Sequence, residues 1–277
     1  MNTPLRFGMV QGRLTQSPPG CLQWFPQEEW RQEFEKAQKL GVDYIELIAE
    51  VQHNPDNPIW SDEGVDEIKQ LVATHNLSLH ALCNDFIVEN PLIGSPSVLQ
   101  QSLDLVERGR ALAVEKLILP LFDSSELTPA NMADYIEPLR TIADAANQAG
   151  MTTCLETILT GTELIEFLNA VKRDYVQVVY DTGNRVAFGH DLPGDIRLLG
   201  ERIAHVHIKD KNAENQNVLL GTGLVNFADV FEALHNIEYT GPYTFETQRG
   251  ADPLRTAAYN MMLVTYFHAE GGDRATQ

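Results

Sequence analysis

Eight short apolar runs, rich in Val, Ile, Leu, Thr, Tyr and Phe, recur along this chain, and each is followed by an amphipathic or helix-like stretch. They lie at 6–12, 44–49, 77–83, 116–122, 152–158, 177–183, 203–209 and 242–248. Near-continuous apolar runs of this kind are strands buried on both faces, as in parallel sheets covered by helices. The intervening segments carry helix signals. PQEEWRQEFEKAQKLG places Phe34, Ala37 and Leu40 on one stripe and stops at Gly41. TPANMADYIEPLRTIADAANQAG opens on Thr-Pro and closes at Gly150. Eight β/α units predict an α/β protein, a (β/α)8 TIM barrel in a single domain. A doubly wound open sheet is the alternative architecture. The predicted barrel spans 1–270, and the final residues 271–277, GGDRATQ, read as a frayed C-terminal tail.

Composition narrows the partners. Acidic residues outnumber basic ones 39 to 20, a net charge of −19, which opposes phosphate backbones and anionic lipids. We therefore expect no nucleic acid and no membrane partner. The three cysteines, Cys21, Cys83 and Cys154, are widely spaced and write no disulfide framework or zinc knuckle. That pattern suits a reducing, cytoplasmic setting. The N-terminal MNTPLRFGMVQGRL lacks the apolar core of a signal peptide, and no run reaches the ~18 apolar residues of a membrane span.

A TIM barrel carries its functional groups at the C-terminal ends of its strands. The polar residues expected there are Gln11, Arg13, Glu46, Glu50, His80, Asn84, Asp85, Asp123, Glu156, Asp181, Asn184, His207, Lys209, Asp210 and Glu246. Four stand out. Glu156, Asp181, His207 and Glu246 come from the last four predicted strands, each inside an apolar run where a lone charge would be costly. A single strand Glu is often salt-bridged, and a single strand His is often a core residue. Three carboxylates and one imidazole converging on one mouth instead call for a cation. The mostly oxygen donor set favours one divalent ion, Mn2+ or Mg2+, with Co2+ and Zn2+ also compatible. His205 shares a strand face with His207 and reads as a supporting or core histidine. Trp24 and Trp60 could wall a pocket or pack in the core. GTGLVNF lacks the Lys-Ser/Thr of a P-loop and reads as a tight turn into a helix. TETQRGAD could hold an anion at the start of the last helix.

MVQGRL, FPQEEWRQEFEKAQKLGVDYIEL, VVYDTGN, RIAHVHIKD, LLGTGLVNF and the closing FET together resemble the sugar isomerase/epimerase family of xylose-isomerase-like barrels, whose superfamily also holds endonuclease IV. The resemblance covers essentially the whole chain. It implies a metal-dependent isomerase or epimerase of a sugar, ketose or sugar phosphate, working by proton abstraction next to a carbonyl through an enediolate. On the matching positions it makes Glu156, Asp181, His207 and Glu246 the metal ligands, and Glu156 and Glu246 the catalytic pair on opposite faces of the substrate. Asn184 stands where ketose 3-epimerases of this kind have a substrate-binding His, and Ala213 where they have an Arg. Substrate contacts are assigned to Asn184, Glu46, Arg13, Lys209 and Arg249, the three cations being candidates for a phosphate or carboxylate group. Relatives of this kind often form dimers or tetramers, so a homo-oligomer is an open expectation. The alternatives are a metal-dependent keto-inositol dehydratase, a non-catalytic sugar-binding barrel and an endonuclease-IV-like hydrolase. The last would need further His and Asp ligands, where this chain has Asn184 and Asn215-Gln216-Asn217.

Overall fold

A computed structural model describes residues 5–276. Eight strands form one closed parallel barrel in sequence order, and β1 pairs with β8 to seal it. The strands are β1 (Phe7–Val10), β2 (Tyr44–Ala49), β3 (Ala81–Asn84), β4 (Lys116–Pro120), β5 (Thr152–Glu156), β6 (Val176–Asp181), β7 (Ile203–Ile208) and β8 (Tyr243–Phe245). The helices are α1 (Trp30–Leu40), α2 (Asp62–Thr74), α3 (Phe86–Glu89), α4 (Pro96–Leu112), α5 (Met132–Gln148), α6 (Gly161–Val171), α7 (Thr182–Ala187), α8 (Leu192–Leu199), α9 (Phe227–Asn236) and α10 (Pro253–Ala275). The expected TIM barrel in a single domain is what forms, and the open sheet is excluded by the β1–β8 pairing. Among the described residues no helix is long and apolar enough to cross a membrane.

Local chemistry explains the elements. The buried stripe of α1 is Trp30, Glu33, Phe34 and Ala37, and Gly41 ends the helix in the left-handed conformation. Thr160 and Glu163 form a reciprocal capping box that starts α6. The strands are buried almost throughout, so the apolar core lies both inside the barrel and between barrel and helices.

Two expectations change. Residues 271–275 continue α10 and are not a frayed tail. Gly271 is buried against α9, where a Cβ would come 2.7 Å from Phe231 backbone, so the helix end is held by packing. Gln277 lies outside the described residues. His80 sits before β3 among Tyr44 and His205, with Nδ1 2.8 Å from Glu115, so it lies below the mouth. Burial holds its pKa down at about 2, leaving the ring neutral.

Candidate active site

β5 to β8 deliver the four expected residues to one point. One donor atom from each of Glu156, Asp181, His207 and Glu246 lies within 4.8 Å of the others, and all four residues are buried. From His207 Nδ1 the carboxylate oxygens are at 3.5 Å (Glu156 Oε2), 3.5 Å (Glu246 Oε2) and 3.9 Å (Asp181 Oδ2). Donors around one ion at bonds of about 2.1 Å stand about 3.0–4.2 Å apart, and these spacings fall in that range. His207 Nδ1 is buried and has no hydrogen-bond partner among the described residues, and the buried Asp181 Oδ2 and Glu246 Oε2 have Lys209 Nζ as their one charged neighbour besides His207. Three buried carboxylates and one unpartnered imidazole nitrogen share a single lysine, so negative charge remains that a cation would balance, and the residues fit a divalent ion.

Each donor is aimed by its neighbours. Asp181 Oδ1 accepts the Asn184 N–H at 2.6 Å as the cap of α7, which turns Oδ2 to the cluster. Asn184 Nδ2 donates to Glu156 Oε1 at 2.8 Å and leaves Oε2 free for the centre. His207 Nε2 donates to Glu46 Oε1 at 3.0 Å. A carboxylate only accepts, so Nε2 keeps its proton and Nδ1 is the nitrogen left to give its lone pair to a metal. Glu46 Oε2 takes a second bond from His205 Nε2 at 2.7 Å. Glu46 is 1% exposed and lies one layer beneath the mouth. Its expected role as a substrate contact therefore gives way to holding two rings, and His205 is the supporting histidine expected.

The electrostatics are tight. Burial opposes charge on Glu46, yet the His207 and His205 rings outweigh it and hold its pKa down at about 2. Burial likewise opposes charge on His207, but the Glu46, Glu156 and Glu246 carboxylates hold its pKa well above the ordinary value. Burial pushes Asp181 up to about 6. Glu246 is held well below the usual range, because Lys209 and His207 overcome its burial. Lys209 Nζ lies 2.6 Å from Glu246 Oε2 and 3.2 Å from Asp181 Oδ2, so it acts as counter-ion to the cluster.

The other two expected cations are also turned toward protein. Arg13 donates to Leu22 O and Gln23 Oε1, and its Nη2 is 3.4 Å from Glu246 Oε1. Arg249 donates through Nε to Gly12 O at 2.6 Å and through Nη1 to Leu22 O at 2.9 Å. It therefore clamps the β1 loop and does not project into an anion site. The start of α10 is closed by Asp252, whose carboxylate accepts Leu254 and Arg255 N–H groups, so the expected anion site of TETQRGAD does not form. Asp210 gathers the N–H groups of Gly221, Gly223 and Val225, which makes GTGLV the turn into α9 that was expected.

Sequence reasoning missed Glu33. Its carboxylate accepts the Gly12 N–H at 2.9 Å and the Leu14 N–H at 3.1 Å, while burial pushes its pKa up to about 7. Gly12 has φ +83 and a Cβ there would meet Trp24 O at 1.9 Å, so only glycine fits where Glu33 and Arg249 grip the loop from both sides. The available signal was Glu33 sitting on the apolar stripe of α1. Also missed was a pocket of about 330 Å³ beside Arg13, walled in part by Gln23, Trp24, Glu50 and Asp85. Trp24 is on this wall, as one of its two expected roles allowed; Trp60 is half-buried and lies outside the lining, its ring 5.1 Å from that of His53.

Barrel and mouth together define a class of proteins: single-domain (β/α)8 barrels that gather three carboxylates and one imidazole from their last four strands. Residues 34–263 match the xylose isomerase-like TIM barrel family, and the chain belongs to that family. It is similar to L-ribulose 3-epimerase of Methylomonas sp., 26% identical over 228 residues that span 76% of each chain. It is similar to D-psicose 3-epimerase of Ruminiclostridium cellulolyticum, 24% identical over 243 residues, 79% of this chain and 80% of that one. A solved structure of L-ribulose 3-epimerase shares the fold with a TM-score of 0.79 and 17% identity, covering 99% of this chain and 97% of the other.

Proposed function

We propose that this protein is a divalent-metal-dependent sugar epimerase or isomerase that moves a proton on the carbon next to a carbonyl. The observation that carries the reading is the convergence of Glu156, Asp181, Glu246 and the orphaned Nδ1 of His207 within 4.8 Å. The curated relatives, named as sugar 3-epimerases, support it. Glu156, Asp181, His207 and Glu246 would hold the ion, and Mn2+ or Mg2+ suits the donor set best. When bound, such an ion supplies Lewis-acid stabilisation of the negative charge that develops on the substrate oxygens.

The chain's own residues account for the proton. Inverting a stereocentre requires a base on one face of a planar enediolate and an acid on the other. Glu156 and Glu246 come from β5 and β8, at opposite ends of the four-strand set, and each lies 3.5 Å from His207 Nδ1. One removes the proton, and the other returns one to the opposite face. Asn184, bonded to Glu156, keeps a side-chain amide beside the catalytic carboxylate and is placed to meet a substrate hydroxyl. Arg13, against Glu246 Oε1, keeps that carboxylate ionised and oriented.

The test joins metal content to solvent exchange. Purified protein is assayed for metal, then incubated in D2O with L-ribulose and D-psicose while NMR follows deuterium at the carbon next to the carbonyl. One equivalent of metal, deuterium uptake and a second epimer are expected. Glu156→Gln or Glu246→Gln should each stop interconversion of the epimers by at least ~100-fold, the usual worth of a positioned acid or base. Protein that binds no Mn2+ or Mg2+ after supplementation overturns the reading.

A further inference from the structure

We propose that the pocket between the loops after β1, β2 and β3, linked to Glu246 through Arg13, is the subsite for the non-reacting end of the sugar, and that it selects a neutral, polyhydroxylated end over a phosphorylated one. The proposal rests on the epimerase reading above. The pocket holds about 330 Å³, at the lower end of the ~300–1,000 Å³ of small-molecule sites. Its walls come from the end of β2 and the segments after β1, β2 and β3, whereas the four clustered residues come from β5 to β8. Arg13 joins the two. It touches Glu246 on one side and donates to Gln23 Oε1 on the other, and Gln23 Nε2 donates to Asp85 Oδ2 at 3.3 Å. A sugar whose carbonyl end meets Glu246 extends past Arg13 toward Gln23 and Asp85.

The wall chemistry then reads as specificity. Among the described residues no lysine or arginine lines the pocket, while two carboxylic acids, Glu50 and Asp85, do. The three cations of the mouth face protein acceptors: Lys209 faces Glu246, Arg13 faces Leu22 O and Gln23, and Arg249 faces Gly12 O. A phosphate entering here would give up its water for two carboxyl groups of like sign, with no cation to replace it. Sugar hydroxyls are donors, and carboxylates are acceptors with several free lone pairs. Glu50 is pre-aimed, since Asn54 Nδ2 and Asn57 Nδ2 donate to its two oxygens at 2.7 and 2.6 Å. Trp24 keeps 36% of its surface open and offers the flat apolar face on which the C–H side of a sugar packs. His53, the remaining ionisable wall residue, has Nδ1 3.4 Å from the Gln101 amide nitrogen.

The test compares L-ribulose with L-ribulose 5-phosphate on Mn2+-loaded protein at pH 8, above the value of about 7 to which burial raises Asp85. Equilibrium binding is read by calorimetry and by tryptophan fluorescence, and solvent exchange in D2O is read separately. L-ribulose should bind at least tenfold more tightly than its phosphate. Asp85→Asn, which removes a buried charge and keeps the shape, should weaken L-ribulose about tenfold, the scale of one hydrogen bond to a charged acceptor. Glu50→Gln should narrow the selectivity in the same direction. Tighter binding of the phosphate with exchange intact overturns the subsite and leaves the epimerase reading standing. Selective binding of L-ribulose without exchange on any ketose upholds the subsite and overturns the epimerase reading. Failure of both sugars to bind, or unchanged affinity in Asp85→Asn, overturns the subsite.

Discussion

Replacing Glu46 by Gln tests whether the ring of His207 is held ready for a metal. The carboxylate accepts from His207 Nε2 at 3.0 Å and from His205 Nε2 at 2.7 Å, and it is sealed from water. An amide of the same shape has one acceptor and one donor end. If its oxygen faces His207, its NH2 meets His205 Nε2, and His205 must move its proton to Nδ1, a buried atom with no partner. That leaves an unsatisfied buried donor costing about 1–3 kcal/mol. If its NH2 faces His207, the proton moves to Nδ1 and points at the site where a cation would bind. Either arrangement also removes the negative charge that makes the imidazole a stronger donor. Partners of metal-bound histidines are worth about 10–100-fold in metal affinity, so Mn2+ binding should weaken by that factor, about 1.4–2.8 kcal/mol. The assay is Mn2+ titration by electron paramagnetic resonance or calorimetry, with 15N NMR of the diamagnetic Mg2+-loaded protein reading which ring nitrogen keeps its proton. Mn2+ affinity within twofold of wild type, with Nε2 still protonated, would refute the reasoning.

Two further outcomes follow from buried charge. Lys209→Met strips the counter-ion from Glu246 and Asp181, so the metal-free protein should lose about 3–5 kcal/mol in urea unfolding, with a smaller loss when Mn2+ supplies the missing charge; equal losses in both states would show that Lys209 is not the counter-ion. Glu33 has its pKa raised to about 7 by burial, so its contribution is complete below about 4.5 and is lost as pH rises toward 7. In chelator, the melting temperature of Glu33→Gln relative to wild type should therefore rise between pH 5 and 7, and parallel curves would contradict this.

Much of the fold was legible, because strands buried on both faces leave unbroken apolar runs. The β2 run 44–49 agrees residue for residue, and the others differ at their ends, where polar residues after a strand still look extended. The four clustered residues were legible for a related reason: Glu156, Asp181, His207 and Glu246 are charged or polar groups in segments that otherwise exclude them. What was not legible depends on partners distant in sequence. Glu46 lies 161 residues from His207, and nothing in YIELIA says whether its carboxylate meets substrate or a ring. Arg249 looked like a free cation because its acceptors are backbone carbonyls, which no side-chain pattern reveals, and Arg13 because its acceptors include Leu22 O and a carboxylate 233 residues away. Asp85 and Gln23 meet across 62 residues, and the pocket they border exists only once β1 and β3 are neighbours of β2.

The grip on Gly12 reaches beyond one turn. Glu33 precedes the second strand, Arg249 follows the eighth, and both close on the same residue after the first, one on its N–H and the other on its carbonyl. The sealing of the cylinder and the placement of Arg13 are therefore one event. Cutting the chain before Arg249 would remove one half of the clasp and the α10 cover together. A single lesion at this clasp would therefore loosen the barrel seam and the seat of Arg13 together.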